Sequence, residues 1–383
     1  MSTTQNPISK LSEESYQMYR PGGYHPARLG DMFDGKYQVV KKLGYGEYST
    51  VWLAHDTKTD DVVALKVLQA EFSKAEKKNF EVEILRFMKN DSSTHPGKRH
   101  ILGISDDFQH HGPNGNHICL VHEATGPDLA RFQRRFPEAQ LPVPMVKRIA
   151  KQFLLGLDYL HRFCKIVHTD IKPGNILIEM NENEPIALHI PSADGSEPVD
   201  FYMASEPLPM NSDASNTGIF LADFGTASWA DKHLTELIQP RCLRAPEVLL
   251  EAKWDSSTDI WNAGCVIYEL MEGKILFDGR PSADGSYAPE HHLSQMMALF
   301  GQFPKGLLDK GNASKKYFDS EGNLKGIPAL GGFSVGGFIE NKGLSGQEKL
   351  DFVHFLESML VIAPERRKPA HALLDEPWLN KEY

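Results

Sequence analysis

The sequence predicts an α+β fold, with a small antiparallel β-rich lobe ahead of a larger α-helical lobe. Two observations lead to this prediction. Short β-type runs follow one another between residues 37 and 68, whereas from about residue 126 the apolar residues recur mainly with helical spacing. We therefore expect a first lobe over residues 36–123 and a second over residues 124–383, preceded by a polar extension over residues 1–35.

Length and composition are those of a folded protein. The chain has 383 residues, of which 41% are hydrophobic and 24% charged, and this excludes a disordered or collagen-like chain. No apolar run reaches the roughly 20 residues that a membrane-spanning helix needs, and the polar first residues do not resemble a signal peptide. The formal net charge of −10 argues against nonspecific binding to nucleic acids and permits attraction of basic partners.

The cysteines Cys119, Cys164, Cys242 and Cys265 lie far apart in the sequence and form no CxxC pair. This spacing predicts buried thiols in a reducing compartment rather than a disulfide framework or a zinc site. We accordingly expect a monomer in the cytoplasm, with the nucleus as a further location, that binds neither membranes nor nucleic acids directly.

Three runs near the N-terminus are predicted to be antiparallel strands, over residues 37–44, 50–55 and 61–68. In the third run, the two-residue period of a strand places Ala64 and Lys66 on the same face. A lysine on the ligand side of its own sheet needs an anionic partner, and bound phosphates would provide one.

A helix is predicted next, because Phe80, Ile84, Phe87 and Met88 recur with helical spacing. A carboxylate of this helix is expected to hold Lys66 in place. Glu81 and Glu83 flank the apolar stripe at similar angles, so periodicity alone leaves both residues open.

Two longer helices follow. One has an apolar stripe made of Val146, Ile149, Phe153, Leu154, Leu157 and Leu160, and the other, Asp259–Met271, is apolar nearly all round and should be buried. Residues 179–218 hold eight carboxylates and no lysine or arginine, which is typical of an exposed insertion. Residues 277–345 are expected to be irregular, with one helix near residues 292–300.

A glycine-containing turn, Gly44-Tyr-Gly46-Glu-Tyr-Ser49, joins the first two predicted strands. Glycines allow backbone N–H groups to approach phosphate oxygens closely, although the same pattern is common in plain turns. A dinucleotide-binding turn would need a helix after it and an acidic residue about 20 positions on. Here a strand follows, and the residue 22 positions after Gly44 is Lys66, so a phosphate-covering turn is favoured.

The most specific pattern is His168-Thr-Asp170-Ile-Lys172-Pro-Gly-Asn175, followed after the acidic insertion by Asp223-Phe-Gly225. In-line phosphoryl transfer needs a group that orients the attacking hydroxyl, metal ligands, and a cation near the moving phosphoryl group. Asp170 can orient the hydroxyl and Lys172 can balance the developing charge. Asn175 and Asp223 supply the oxygen ligands that Mg²⁺ prefers. Each residue alone could be an ordinary turn or capping residue, but the complete set in this order predicts phosphoryl transfer.

These motifs resemble the ordered motif set of eukaryotic protein kinases over residues 37–381, together with Val63-Ala-Leu-Lys66 and Ala245-Pro-Glu247. The resemblance implies a bilobal kinase fold and an ATP- and Mg²⁺-dependent protein serine/threonine kinase. By analogy, Glu83 in Glu83-Ile-Leu would be the helix glutamate that positions Lys66, and Glu247 and Arg367 would form a buried structural ion pair. The implied nucleotide-binding residues are Gly44, Tyr45, Gly46, Glu47, Ser49, Val51, Ala64, Lys66, Glu123, Thr125, Asp128 and Leu177, with Val51, Ala64 and Leu177 around the adenine and Asp128 near the ribose.

The sequence is similar to one kinase family in particular, the SR-protein kinases of the CMGC group. The resemblance rests on Tyr24-His-Pro26, His168-Thr-Asp-Ile-Lys-Pro173 and Ile238-Gln-Pro-Arg-Cys-Leu-Arg-Ala-Pro-Glu247. It implies that the substrates are Arg/Ser-rich or otherwise basic proteins, such as splicing factors, and hence a role in regulating mRNA splicing. A pseudokinase scaffold, which would bind nucleotide or a partner without turnover, stays open as the alternative.

Three positions and one helix depart from the pattern. Thr169 replaces an arginine that clamps an activating phosphate in many kinases, so we expect activity without phosphorylation of the activation segment, residues 223–247. Pro240 replaces a threonine whose hydroxyl touches the catalytic aspartate and lysine, which predicts poorer substrate alignment. His122 should reshape the back of the nucleotide pocket. The helix that matches an acidic substrate groove, His291–Gly301, carries no carboxylate.

Overall fold

The structure is a computed structural model. It describes residues 13–74, 80–180, 204–205, 208, 218–281, 285–328 and 331–383. The chain forms two compact units, which are described separately. The first comprises Met1–Lys78, Gly103–Gly126 and Met180–Asn211, and the second comprises Asn79–Leu102, Pro127–Glu179 and Ser212–Tyr383.

The first unit is built on a six-stranded antiparallel sheet with strand order β1-β2-β3-β4-β6-β5. Its strands are β1 (Met32–Phe33), β2 (Tyr37–Gly46), β3 (Ser49–Asp56), β4 (Val62–Leu68), β5 (Asp106–Gly112) and β6 (Gly115–Glu123). The three predicted strands are confirmed as β2, β3 and β4. The β5–β6 hairpin was not predicted, because histidines interrupt the apolar alternation that marks a strand.

The predicted faces of β4 are also confirmed. Leu65 and Val67 are fully buried in the main core of this unit, which also contains Trp52. Lys66, which alternates with them, points to the opposite face and is paired in register with Val51 of β3 and Leu120 of β6.

The N-terminal extension contributes to the same core. Ala27 and Phe33 are fully buried in it, and β1 pairs with the start of β2. The extension therefore completes the sheet of the first unit rather than forming a separate structure.

The second unit is mainly helical. Its α-helices are α1 (Glu81–Asn90), α2 (Leu129–Gln133), α3 (Val143–Asp158), α4 (Pro246–Leu249), α5 (Ser257–Glu272), α6 (Pro289–Phe300), α7 (Lys305–Leu308), α8 (Ser314–Tyr317), α9 (Val335–Phe338), α10 (Gly346–Met359), α11 (Ala370–Leu373) and α12 (Pro377–Asn380). Two short pairs of strands flank the polar motifs. They are β7 (Ile166–Val167) with β10 (Ser228–Trp229), and β8 (Ile176–Ile178) with β9 (Ile219–Leu221).

The two long predicted helices are confirmed as α3 and α5. The α3 stripe is buried, and α3 continues as one π-helical segment over Tyr159–Cys164. Helix α5 is buried along almost its whole length, and it ends at Gly273, whose φ of 68° lies in the left-handed region that glycine adopts without strain. Both helices thus supply a rigid base for the loops that join the short strands.

Residues 277–345 are more ordered than predicted. Besides the expected helix, this stretch contains α7, α8 and α9. Helix α6 begins at Pro289 and so includes Glu290 in its first turn, which corrects the prediction that this helix carries no carboxylate.

The acidic insertion lies largely outside the described residues, and its predicted exposure stays a prediction there. Within the described part, Leu208 is buried and Ser205 is half-buried. Among the described residues, no helix has both the length and the apolar character that crossing a membrane requires.

Candidate active site

A buried carboxylate fixes the backbone of the catalytic loop. Asp259, in the first turn of α5, accepts the backbone N–H groups of His168 (2.8 Å) and Thr169 (3.0 Å) and lies 2.8 Å from Nε2 of His161. Burial raises the pKa of Asp259, but the hydrogen bond and charge of His161 and the N–H of His168 outweigh it, so the pKa lies below its usual value. Sequence reasoning missed this residue, although an aspartate in a helix that is otherwise apolar was a usable signal.

Three residues around the loop have backbones in the left-handed region. Thr169, Asp223 and Gln239 have φ values of 68°, 65° and 69°, and none of them is glycine. Such conformations cost about 1–3 kcal/mol each and cluster at functional sites. The N–H of Gln239 donates to the carbonyl oxygen of Thr169 (3.0 Å), so a backbone hydrogen bond joins two of these three residues.

Asp170 lies at the centre of the polar cluster. Its Oδ2 accepts hydrogen bonds from Nζ of Lys172 and from Nδ2 of Asn175, each at 2.7 Å. Asn175 Nδ2 is also 2.8 Å from the Asp170 carbonyl oxygen. The Asp170 side chain is 21% exposed, so its second oxygen can reach a hydroxyl from outside. The structure thus brings these three predicted site residues together, and their catalytic roles stay predictions.

Asn175 and the segment before Asp223 are joined through their backbones. The N–H of Ala222 donates to the carbonyl oxygen of Asn175 (2.9 Å), and the Ala222 carbonyl oxygen lies 3.0 Å from Nε2 of His168. Phe224 is 1% exposed and packs against the His168 ring, with 5.0 Å between the ring centroids. Because Asn175 uses its amide nitrogen within the protein, its amide oxygen is the atom suited to Mg²⁺, and the Asp223 carboxylate offers a second oxygen ligand of the type this ion prefers.

The structure does not support the assignment, made by analogy, of Glu83 as the helix glutamate that positions Lys66. Glu83 is exposed on α1, whereas Glu81 is 2% exposed. Glu81 Oε2 lies 3.8 Å from the position a β-carbon would take on Gly225, next to Asp223. Side-chain periodicity left both glutamates open, and the choice of Glu83 rested on the analogy with Glu83-Ile-Leu; the predicted apolar stripe also included Phe87. Phe87 is 44% exposed and packs edge-on against Trp229, and the buried face of α1 instead contains Glu81, Ile84, Leu85 and Met88.

In the first unit, the glycine-containing turn joins β2 to β3 as predicted. Gly44 and Gly46 pair with Val51 and Ser49, with a register shift between Lys42 and Gly44. A β-carbon built on Gly44 meets no heavy atom within 4 Å. This open space beside the backbone fits a turn that covers phosphate groups. Tyr45 lies in β2, Glu47 in the turn that follows it, and Lys66 in β4.

The other predicted nucleotide-binding residues are described here within the unit to which each belongs. In the first unit, Val51 and Ala64 lie on neighbouring strands, and Glu123 ends β6, with Thr125 two residues later. In the second unit, Leu177 of β8 forms an isolated bridge with Asp128. The Asp128 carboxylate caps α2 by accepting the N–H of Arg131 at 2.8 Å. The nucleotide contacts of all these residues stay predictions.

His122 is 7% exposed, and its Nδ1 lies 2.8 Å from the Gly103 carbonyl oxygen. Both residues belong to the first unit, so the ring supports the loop before β5. The effect of His122 on the nucleotide pocket stays a prediction.

The predicted ion pair between Glu247 and Arg367 is confirmed. Two hydrogen bonds of 2.6 Å join the guanidinium to the carboxylate, and both side chains are fully buried. This bidentate geometry anchors the end of the activation segment to the last part of the chain, which is a structural role.

The hydroxyl groups of the activation segment differ in their surroundings. The hydroxyl of Thr169 donates to the carbonyl oxygen of Thr226 at 2.8 Å, and it lies 3.2 Å from the Thr226 hydroxyl oxygen. Ser228 is fully buried and accepts the N–H of Leu234. Thr235 is exposed. Thr169 therefore binds the segment directly at the position where many kinases hold a phosphate-binding arginine.

Comparison with known proteins gives the same assignment. The protein kinase domain model matches residues 37–379. The serine/threonine-protein kinase SRPK of Physarum polycephalum is 34% identical over 401 residues, covering 96% of this chain and 91% of that protein. Protein kinase dsk1 of Schizosaccharomyces pombe is 30% identical, covering 97% and 86%. SRSF protein kinase 3 of Mus musculus is 28% identical, covering 96% and 90%.

These relatives are named as kinases, and nothing in the comparisons supports the alternative of a scaffold without turnover. A protein kinase domain implies ATP-dependent phosphoryl transfer. The chain therefore belongs to the protein kinase family and is a serine/threonine protein kinase of the kind represented by the SR-protein kinases.

Proposed function

We propose that this kinase phosphorylates serine and threonine hydroxyls in Arg/Ser-rich or otherwise basic proteins, splicing factors among them, with ATP and Mg²⁺. The observation that carries the catalytic part is the position of Asp170, whose Oδ2 is held at 2.7 Å by both Lys172 and Asn175. A carboxylate fixed in this way points its other oxygen in a constant direction, as the orientation of an attacking hydroxyl requires.

The chain's own residues divide the work as follows. Asp170 accepts the hydrogen bond of the substrate hydroxyl and orients its oxygen, and Lys172 balances the charge that develops on the transferred group. Asn175 and Asp223 would hold the magnesium ions, which when bound neutralise the phosphate oxygens. The turn Gly44–Ser49 would cover the phosphates with its backbone N–H groups.

We also assign the helix glutamate to Glu81. In protein kinases, the strand lysine must pair with this glutamate before the enzyme is active. Glu81 is 2% exposed on the face of α1 next to Gly225, whereas Glu83 is exposed to solvent. We therefore propose that Glu81 positions Lys66 in the active enzyme.

Two relatives support the substrate class, because their names are SRPK and SRSF protein kinase. The net charge of −10 favours encounters with basic chains. Glu290 places a carboxylate on α6, the helix that the family resemblance connects with binding of substrate arginines.

The decisive experiment measures transfer of radiolabelled phosphate to an Arg-Ser repeat peptide. Wild type should modify this peptide far faster than matched Ala-Ser and Glu-Ser peptides, and Asp170→Ala should abolish transfer. Asp309→Ala is the matched control, since its exposed carboxylate pairs with Lys305, four residues earlier. Equal rates on all three peptides would refute the substrate class, and an active Asp170→Ala enzyme would refute the role of Asp170.

The acidic insertion offers a second source of attraction for basic peptides. If Glu182, Glu184, Asp194 and Glu197 steer the substrate, changing them to amides should raise KM for the Arg-Ser peptide and flatten its salt dependence. This set is preferable to deleting residues 181–216, because Ser205 contacts Glu13 and Leu208 is buried. An unchanged KM would exclude steering.

We further propose that the protein is a monomer located in the cytoplasm and the nucleus. Light scattering of the purified chain tests the first statement, and fluorescence microscopy of a tagged chain tests the second.

A further inference from the structure

One segment of the first unit has no place in the proposed catalytic mechanism. Residues 13–33, here called the strap, run along the sheet and contact the glycine-containing turn. Tyr24 makes this contact. Its hydroxyl donates to the Gly46 carbonyl oxygen at 2.7 Å and lies 3.3 Å from the Glu47 carbonyl oxygen.

The Tyr24 ring is 3% exposed, and burial raises the pKa of its hydroxyl, so the O–H stays protonated and can donate. Gln69 completes the support of the turn. Its Nε2 donates to the Glu47 carbonyl oxygen (2.9 Å), and its backbone N–H donates to the Tyr48 carbonyl oxygen (2.8 Å). The carbonyl oxygens of three consecutive turn residues are thus held from within the first unit.

The strap is fixed closely on both sides of Tyr24. Before it, a β-carbon on Gly23 would lie 1.9 Å from the Met18 carbonyl oxygen, so no side chain fits there. The Gly22 and Gly23 carbonyl oxygens accept the N–H groups of Glu71 (2.9 Å) and Ala70 (3.1 Å). Beside Tyr24, its own carbonyl oxygen accepts Nδ2 of Asn114 at 2.6 Å.

Two further anchors hold the ends of the strap. At the start, Glu13 and Glu14 bind Nζ of the fully buried Lys42 at 3.1 and 2.6 Å. After Tyr24, the His25 ring packs at 4.6 and 5.0 Å from the rings of His110 and His117 on β5 and β6, between centroids. A tyrosine held at so many neighbouring points has little freedom, and its hydroxyl is therefore a fixed support for the turn.

We propose that Tyr24 is a positioning residue for the phosphate-covering turn, and that the strap lets the turn bind the nucleotide phosphates without first losing conformational freedom. This inference rests on the proposed function, since it takes the turn to be the part that covers ATP. Tyr24 acts through the backbone of Gly46 and Glu47. Loss of the Tyr24 hydroxyl should therefore weaken nucleotide binding, with little effect on the rate of the chemical step or on peptide binding.

The test compares Tyr24→Phe with Tyr16→Phe, a matched change at an exposed tyrosine of the same strap. Loss of one buried hydrogen bond, about 0.5–1.5 kcal/mol, converts to a rise of about 2- to 12-fold in KM for ATP. KM for the peptide and kcat should stay within about twofold, because neither depends on the turn once ATP is bound. Tyr16→Phe should match wild type in all three constants.

Hydrogen exchange without nucleotide supplies a measurement that does not involve activity. In Tyr24→Phe, amides of residues 44–50 should exchange faster than in wild type, while those of β4 and β6 keep their rates. Unchanged exchange and an unchanged KM for ATP would overturn the inference while leaving the proposed function intact. Failure of wild type to bind ATP at all would overturn both, and a fall in kcat with KM unchanged would contradict a positioning role.

Discussion

The choice between Glu81 and Glu83 can be tested with a single pair of substitutions. Glu81→Gln keeps the size of the side chain and removes its charge, and Glu83→Gln makes the same change two residues along α1. Glu81 is 2% exposed, whereas Glu83 faces solvent. Breaking one side of a buried ion pair costs about 3–5 kcal/mol, so the proposed pairing of Glu81 with Lys66 predicts a loss of about 10²- to 5 × 10³-fold in kcat/KM. A change at an exposed site costs less than about 0.5 kcal/mol, or about twofold.

The assay is steady-state phosphorylation of an Arg-Ser peptide, with circular dichroism to establish that each variant is folded. Lys66→Met should lose activity to a similar degree. The double variant of Lys66→Met with Glu81→Gln should be little worse than either single variant, since both remove the same interaction. A large loss in Glu83→Gln together with an active Glu81→Gln enzyme would refute the burial argument and restore the analogy with Glu83-Ile-Leu.

Three further predictions concern separate parts of the chain. Pro240→Thr should raise kcat/KM for the peptide up to about tenfold, because it adds a hydroxyl that can bind charged Lys172. If a steady-state assay finds no gain, substrate alignment does not depend on this position. Ser205→Asp should lower Tm relative to Ser205→Ala, because it adds a carboxylate beside Glu13, whose bonds from the Ser205 N–H and Oγ are 2.8 and 3.0 Å; equal values of Tm in a thermal melt would argue against this contact. Burial lowers the pKa of His292 from 6.5 to about 3. Below pH 6.5 this histidine takes up a proton in the unfolded chain but stays neutral in the folded one, so the free energy of unfolding falls, by about 2 kcal/mol from pH 6.5 to 5. Denaturant unfolding of His292→Gln should accordingly show a weaker acid dependence than wild type, and an identical dependence would contradict this account.

Local patterns predicted the parts of this fold whose contacts are local. Strands β2, β3 and β4 and the two long helices follow from side-chain periodicity, and the positions of Asp170, Lys172 and Asn175 follow from their spacing of two to five residues in one loop. Hydrogen bonds between residues so close in sequence form wherever the loop is placed, so their order was sufficient to predict the cluster.

Long-range contacts explain what could not be predicted. Asp259 binds the loop from about 90 residues away, and no local pattern connects it with His168. The β5–β6 hairpin was not predicted, because His110 and His117 interrupt the apolar alternation of its strands. Their rings pack at 4.6 and 5.0 Å from the His25 ring, between centroids, and burial lowers the pKa of both, which favours the neutral form.

Besides the Glu247–Arg367 ion pair, several uncharged contacts hold the activation segment. The His233 ring stacks on Trp254 with 3.6 Å between centroids and 8° between the planes. The Trp254 indole N–H donates to the Glu236 carbonyl oxygen (3.2 Å). Closer to the catalytic loop, the Thr169 hydroxyl takes the role of a clamp by binding Thr226.

Further along the segment, the side chain of Gln239 ties this region to α5. Its Nε2 donates to the Thr258 carbonyl oxygen (3.0 Å) and to Oδ1 of Asn262 (2.9 Å), and its Oε1 accepts the N–H of Ala245 (2.9 Å). None of these bonds involves a group that a phosphatase could remove. We therefore expect phosphatase treatment to leave turnover unchanged, and Thr235→Ala, which removes the exposed hydroxyl, to do the same. Loss of activity in either experiment would mean that a phosphate, rather than this set of contacts, holds the segment in its active conformation.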